Sequence, residues 1–129
     1  MQDKINAVKA FHTAFKIGHR ETPKANLGLE KNTLRFNLMQ EENEEYLEAA
    51  NANDLVEVAD ALGDMLYILC GTIIEHGLQH KIEDVFKEIQ RSNMSKLGDN
   101  GEPIYRADGK VLKGPHYFQP NIKDILEKE

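Results

Sequence analysis

The stretch Asp54-Leu55-Val56-Glu57-Val58-Ala59-Asp60-Ala61-Leu62-Gly63-Asp64-Met65-Leu66-Tyr67-Ile68-Leu69-Cys70-Gly71-Thr72-Ile73-Ile74 decides the fold. Its apolar residues fall on nearly every side of a 3.6-residue period, and a helix that is hydrophobic all round is a buried one. Asp54 is placed to cap it, with Glu57 three residues on completing a capping-box-like pattern, and Gly77 marks its end. Three acids interrupt the apolar surface. Glu57, Asp60 and Asp64 are spaced by three and four residues, so they share one stripe. A carboxylate in a largely buried helix costs several kcal/mol unless it is paired or holds a metal. The helix itself offers no lysine or arginine, so the partner has to come from another element.

The preceding helix supplies more acid rather than base. It is predicted from a cap at Asn32 or Thr33 to about Ala50, with Leu34, Leu38 and Leu47 on its apolar side. Glu41, Glu42, Glu44, Glu45 and Glu48 crowd its second half. Glu41 and Glu45 are four apart and Glu42 and Glu45 three apart, so three of them share a face, whereas Glu44 and Glu48 read as a solvated surface. The connection Asn51-Ala52-Asn53 is short enough to make the two helices antiparallel neighbours. Two carboxylate clusters then face each other, an arrangement that needs cations. Hard oxygen donors without cysteine or a suitably placed histidine select magnesium or manganese over zinc or copper.

Outside this hairpin, Ile5, Val8, Phe11 and Phe15 repeat at threes and fours and predict a first helix over residues 3–17, ending near Gly18. A loop to about Lys31 follows, long enough to suggest substrate contact. A fourth, amphipathic helix is predicted over residues 82–97, with Ile82, Val85, Phe86, Ile89 and Met94 facing inward. From Gly98 the turn signals Asp99-Asn100-Gly101, Asp108-Gly109 and Gly114-Pro115 dominate, and Asn121 can cap a last short helix. The fold class is therefore all-α: a four-helix-bundle-like core over about 3–97 and an irregular C-terminal tail over 98–129, together one domain of 129 residues.

Composition narrows the function classes. A formal net charge of -6, from 22 acids against 16 lysines and arginines, argues against a non-specific nucleic-acid binder. If the ligand is a polyanion, divalent cations on the acids would offset the like charge. No stretch approaches the ~20 apolar residues of a membrane span, and Met1-Gln2-Asp3-Lys4-Ile5 does not read as a signal peptide. Cys70 is the lone cysteine, which rules out a disulfide framework and a cysteine-based zinc site. The expected compartment is the cytoplasm.

The arrangement Glu41-Glu42-Asn43-Glu44-Glu45 followed by Glu57-Val58-Ala59-Asp60 resembles the EExxE…ExxD signature of the all-α NTP pyrophosphatase superfamily, which includes MazG-like proteins and phosphoribosyl-ATP pyrophosphohydrolases. More of the chain is similar to the latter branch. Phe11-His12 with Phe15, Arg35 before the acids, Ala59 to Tyr67 followed by Gly71-Thr72, Ser92-Asn93-Met94-Ser95-Lys96-Leu97, and Asp108 to Pro115 all look like it.

The resemblance implies a Mg²⁺-dependent nucleoside triphosphate pyrophosphohydrolase, with Mn²⁺ able to substitute, that converts a (d)NTP and water to a (d)NMP and pyrophosphate. House-cleaning of non-standard or excess nucleotides would be its service. Carried over residue by residue, Glu41, Glu42, Glu45, Glu57 and Asp60 are the metal ligands, Asp64 is a further candidate, and Glu42 is the general base. Asn93 and Lys96, three apart on one face, would contact the substrate together with Lys110, Lys113 and His12. Arg35, six residues before Glu41, could instead be a structural partner for the acids. The resemblance also implies a homo-oligomer, a homodimer or a dimer of dimers. The competing reading is a catalytically idle nucleotide-binding or helical interaction module. A di-iron bundle would want Glu-x-x-His motifs, and no histidine lies three after a glutamate.

Overall fold

A computed structural model describes residues 1–128. It is all-α, with helices α1 (Gln2–Ala14), α2 (Leu29–Asn51), α3 (Leu55–Glu75), α4 (Ile82–Met94) and α5 (Ile122–Glu127). Among the described residues, the one β feature is an isolated antiparallel bridge between Tyr105 and Val111. The helices fall into two compact units: Met1–His80, holding α1 to α3, and a second unit that begins at Lys81.

In the first unit α3 is central, packing against both α1 and α2. Arg35, near the start of α2, donates to the Ile68 carbonyl, and Lys31 pairs with Glu75 at the end of α3. The start of one helix therefore meets the end of the other, which makes α2 and α3 an antiparallel hairpin. Asp54 caps α3 as its side chain predicts, accepting from the Glu57 amide at 3.1 Å. Such a cap stabilises by about 1 kcal/mol.

All three helices of this unit end the same way. Lys16 (φ 58), Asn53 (φ 55) and Gly77 (φ 70) take the left-handed conformation. Ile17, Asp54 and Leu78 then reach back to the carbonyls of His12, Ala49 and Ile73, the Schellman pattern. Here the expected boundaries need correction. The first helix stops at Ala14 because Lys16, not Gly18, makes the left-handed turn. The second starts at Leu29, not after Asn32: Gly28 (φ 101) is its N-cap, while the Asn32 side chain accepts from Leu27 N instead.

The loop between α1 and α2 is tied to the end of α3. Arg20 N donates to Ile74 O at 3.1 Å, Lys24 N to His76 O at 2.9 Å, and Gln79 Nε2 holds Arg20 O at 2.7 Å. The first two bonds reach carbonyls at the end of α3, where a helix leaves its last acceptors open. Gly77 makes the approach possible, since a Cβ there would stand 2.1 Å from Thr22 O.

The buried apolar residues of this unit are few: Ile5, Val8, Ala49, Ala61, Cys70, Ile73 and Ile74. The all-round burial expected of α3 holds only for its last turns, from Cys70 to Glu75. Leu55 is 79% and Val56 75% exposed, and Leu62, Leu66 and Leu69 are exposed as well.

In the second unit α4 also departs from the expected orientation. It ends at Met94, and Phe86, Ile89 and Met94 are exposed, whereas Glu88 and Ser92 are buried. The reason is what packs on it: the backbone of the C-terminal segment, which needs polar partners. Glu88 accepts from Asn121 N at 2.6 Å, Ser92 Oγ donates to Phe118 O at 2.8 Å, and Ser95 Oγ accepts from Phe118 N at 3.1 Å. Arg91 lies over the Phe118 ring at 4.3 Å. Between α4 and this clamp, residues 104–112 fold back as a small ribbon, with Leu112 N on Ile104 O and Gly109 (φ 87) in the turn. Asn121 caps α5, accepting from Asp124 N.

Candidate functional site

Both acid clusters lie in the first unit, on facing helices. At the turn of the α2–α3 hairpin lies an open cleft of about 480 Å³, lined by Glu45, Glu48 and Ala49 of α2, by Ala52 and Asp54 of the turn, and by Glu57 and Asp60 of α3. Asp54 serves the site twice over, since its Oδ1 fixes the first turn of α3 from which Glu57 projects.

A second grouping lies around Glu42. This residue is half-buried, and its Oε2 atom is buried without a hydrogen-bond partner. Lost hydration, then the neighbouring carboxylates of Glu45, Asp64 and Asp60, push its carboxyl up to about 7. Glu45 and Asp60 belong to both groupings and join them. Glu41 is exposed on α2 and does not line the cleft.

No base neutralises these acids. Among the described residues, no lysine or arginine lies within ion-pair distance of Glu41, Glu42, Glu45, Glu57, Asp60 or Asp64. Arg35, considered above as a partner for them, instead pairs with Glu75 at the far end of the hairpin. Among the described residues no three acidic, histidine or cysteine side chains converge closely enough to hold an ion as they stand. The donor chemistry nevertheless fits a hard divalent cation: every donor is a carboxylate oxygen, and the Glu42 oxygen is buried without a counter-charge.

Two residues of the cleft, Glu48 and Asp54, lie outside the expected ligand set. Glu48 is exposed, as expected of a solvated face, and lines the cleft beside Glu45. Its position three after Glu45 and seven after Glu41 is the sequence signal for that placement. Asp54 was read only as a cap.

His12 is 3% exposed. Its Nδ1 lies 3.4 Å from Gly18 O, and a Cβ on Gly71 would meet its Nε2. Desolvation pushes its pKa down, so the ring is neutral within the helix packing. Beside it Phe11 stacks on Phe15 at 4.4 Å and meets Tyr67 edge-on at 5.6 Å.

The other substrate candidates belong to the second unit. Asn93 and Lys96 stand at the end of α4, with Lys96 N donating to Asn93 O. Lys110 is exposed on the ribbon, and Lys113 Nζ lies 4.8 Å from the Tyr117 ring centroid.

The family model described as phosphoribosyl-ATP pyrophosphohydrolase matches residues 8–93. That span is two-thirds of the chain and contains both acid clusters, Arg35 and Asn93. Lys96, Lys110 and Lys113 lie beyond its end. No curated protein matches the chain.

Proposed function

The chain belongs to the phosphoribosyl-ATP pyrophosphohydrolase family and is thus a pyrophosphohydrolase, a hydrolase acting on phosphoric anhydrides; from that premise we propose that it hydrolyses (d)NTPs with Mg²⁺, releasing a (d)NMP and pyrophosphate. The observation that carries the metal reading is the uncompensated acid set, above all the buried, unpartnered Glu42 Oε2.

Glu41, Glu42, Glu45, Glu57 and Asp60 would hold the ion, with Asp64 reinforcing the charge beside Glu42. Magnesium, when bound, supplies positive charge against the phosphates and acidifies water. The chain's own part is to orient and to move a proton. A glutamate not fully committed to the ion can take the proton of the water that attacks the α-phosphorus, and Glu42, whose Oε2 atom has no partner, is the residue we assign to that role. Asn93, Lys96, Lys110 and Lys113, all of the second unit, are the residues the resemblance assigns to substrate contact, and ammonium groups suit phosphate oxygens.

The unpartnered apolar surface supports a homodimer or a dimer of dimers. Leu34 and Phe36 of α2, and Leu55, Val56, Leu62 and Leu69 of α3, are all exposed. Large apolar side chains left exposed in this number on one hairpin are what association with another copy would cover.

A second reading concerns the substrate alone. The matching family is named for phosphoribosyl-ATP, whose hydrolysis cleaves the same kind of anhydride. One experiment separates the readings: a panel of canonical and modified (d)NTPs together with phosphoribosyl-ATP, with Mg²⁺, reading pyrophosphate and monophosphate. Release from a (d)NTP but not from phosphoribosyl-ATP supports the proposal, and the reverse replaces its substrate. Asp60→Asn keeps shape and deletes a hard charged donor, so it should abolish turnover without loss of helicity. Wild-type turnover in that variant would remove Asp60 from the ligand set.

A further inference from the structure

Away from the acids, the first unit contains a buried polar cluster that the proposed chemistry does not use. Arg35 is 7% exposed and Glu75 3% exposed, although they lie at the opposite end of the α2–α3 hairpin from the cleft. Arg35 Nη2 donates to Ile68 O at 2.8 Å and Nε donates to Thr72 Oγ1 at 3.0 Å. Its Nε also lies 3.0 Å from Glu75 Oε2, but that N–H is directed at Thr72, so the carboxylate oxygen feels the charge without receiving the proton. Lys31 closes the group from one turn earlier, 3.2 Å from Glu75 Oε1. The guanidinium fits because α3 has no side chain at Gly71, where a Cβ would stand 2.7 Å from Nη2.

Two hydrogen bonds and one ion pair run from Arg35 of α2 to three residues of α3, Ile68, Thr72 and Glu75, on successive turns of one face. Apolar ridges tolerate sliding by a fraction of a turn. A planar guanidinium aimed at one carbonyl and one hydroxyl does not. Two turns along α2 from Arg35 is Glu42, and one turn back along α3 from Ile68 is Asp64. A one-residue slip of the pairing would shift each α2 acid by about 1.5 Å and rotate it by roughly 100° relative to α3, and a metal site tolerates neither.

We propose that Arg35 is a positioning residue for the hydrolase: seated at Gly71 and bonded to Ile68 O and Thr72, it fixes the register of α2 on α3 and so sets which α2 acids face Glu57, Asp60 and Asp64. The metal part of this inference rests on the reading of the acids given above, whereas the register part does not.

The experiment therefore has two readouts, both made on the full chain. Mn²⁺ alone is titrated by calorimetry. Separately, without metal, the distance between nitroxides on Glu44→Cys of α2 and Ala59→Cys of α3 is measured by pulsed electron resonance, with labelled chain diluted in unlabelled chain. The variants are Arg35→Met, Arg35→Lys, Thr72→Val and Thr72→Ser, compared with Val8→Ala, a core truncation that lowers stability without touching the register.

Arg35→Met and Thr72→Val should broaden or displace the label distance and weaken Mn²⁺ binding at least tenfold. Thr72→Ser, which keeps the hydroxyl, should restore both, and Val8→Ala should change neither at temperatures below its melting. If Arg35→Met does not fold, Thr72→Val and Arg35→Lys carry the same comparison. A displaced distance in a protein whose wild type binds no Mn²⁺ supports the register role and overturns the metal reading. A single wild-type distance together with wild-type Mn²⁺ affinity in Thr72→Val and both Arg35 variants overturns the proposal.

Discussion

Glu42 and Glu45 stand one turn apart on α2, and the Glu42 Oε2 atom is buried next to that second carboxylate with no donor to meet it. The folded chain therefore holds a proton at Glu42 more tightly than the unfolded chain does, at about 7 against an ordinary 4.5. The sign follows from linkage: a group raised on folding favours the fold below its unfolded value, and that contribution is lost as pH rises to the folded one. In chelator, Glu42→Gln should therefore raise the urea midpoint at pH 8 and flatten the fall in stability between pH 5 and pH 8. Equal midpoints for variant and wild type at pH 8 would show that the carboxylate is solvated.

Gly63 and Gly71 should respond oppositely to alanine, although both lie inside α3. A Cβ at Gly63 meets nothing within 4 Å, and replacing a helical glycine gains about 0.5–1 kcal/mol. A Cβ at Gly71 would press on Arg35 Nη2 at 2.7 Å and His12 Nε2 at 2.9 Å. Both neighbours are buried, so Gly71→Ala should cost about 1–3 kcal/mol, the range for overpacking. Denaturant melts of the two variants check this, and a stabilised Gly71→Ala would mean that the guanidinium is free to leave.

His12 gives a second pH dependence, of opposite sign to that of Glu42. Desolvation holds its folded pKa below 6.5, with Glu75 and the Gly18 carbonyl only partly opposing. The unfolded chain then binds the proton first, so stability is lost as pH falls below about 6.5. His12→Gln, which cannot titrate, should lower stability at pH 8 yet show a smaller further loss between pH 7 and pH 5.5. The check is made in the Glu42→Gln background, so that the opposing slope is absent. An identical slope with and without the imidazole would place a different group in control.

What the sequence disclosed here is the part written in local spacing. Asp54 and Glu57 are three apart, and the cap they predict forms because the bond lies within one turn. The acid stripes of α2 and α3 are legible for the same reason. Arg35 and Glu75 are forty residues apart, and nothing local distinguishes their pairing from one between Arg35 and the nearer glutamates. The α4 face failed for a different reason. Hydrophobic period assumes that an apolar surface packs on the helix, but Ser92 and Ser95 face the main chain of Phe118, which requires hydroxyls. Phe86, with the greater claim to burial by composition, is left 67% exposed.

The segment after Leu97 allows a test of how much of nucleotide binding lies outside the matched span. It is ordered by α4 through Glu88, Ser92 and Ser95, and its exposed Lys110 and half-stacked Lys113 meet no acid within ion-pair distance among the described residues. Two free ammonium groups on a ribbon braced by a helix are suited to phosphate oxygens. Truncation after Leu97 takes Phe118 from Ser92 and Asn121 from Glu88, which keeps only Arg91, so it mixes lost charge with a loosened α4. Lys110→Ala with Lys113→Ala keeps every backbone bond of the ribbon and removes the two charges together with the Lys113 contact to the Tyr117 ring. The double variant should raise KM for the best nucleotide about tenfold, on the order of 1.4 kcal/mol, with kcat retained. The loss should be larger at low salt, where phosphate attraction is least screened. The truncated chain should keep the helicity of α1 to α3 and show at least the same rise in KM. If KM is unchanged in both proteins across the salt range, the C-terminal segment is a brace for α4, and the phosphate role assigned to its lysines is wrong.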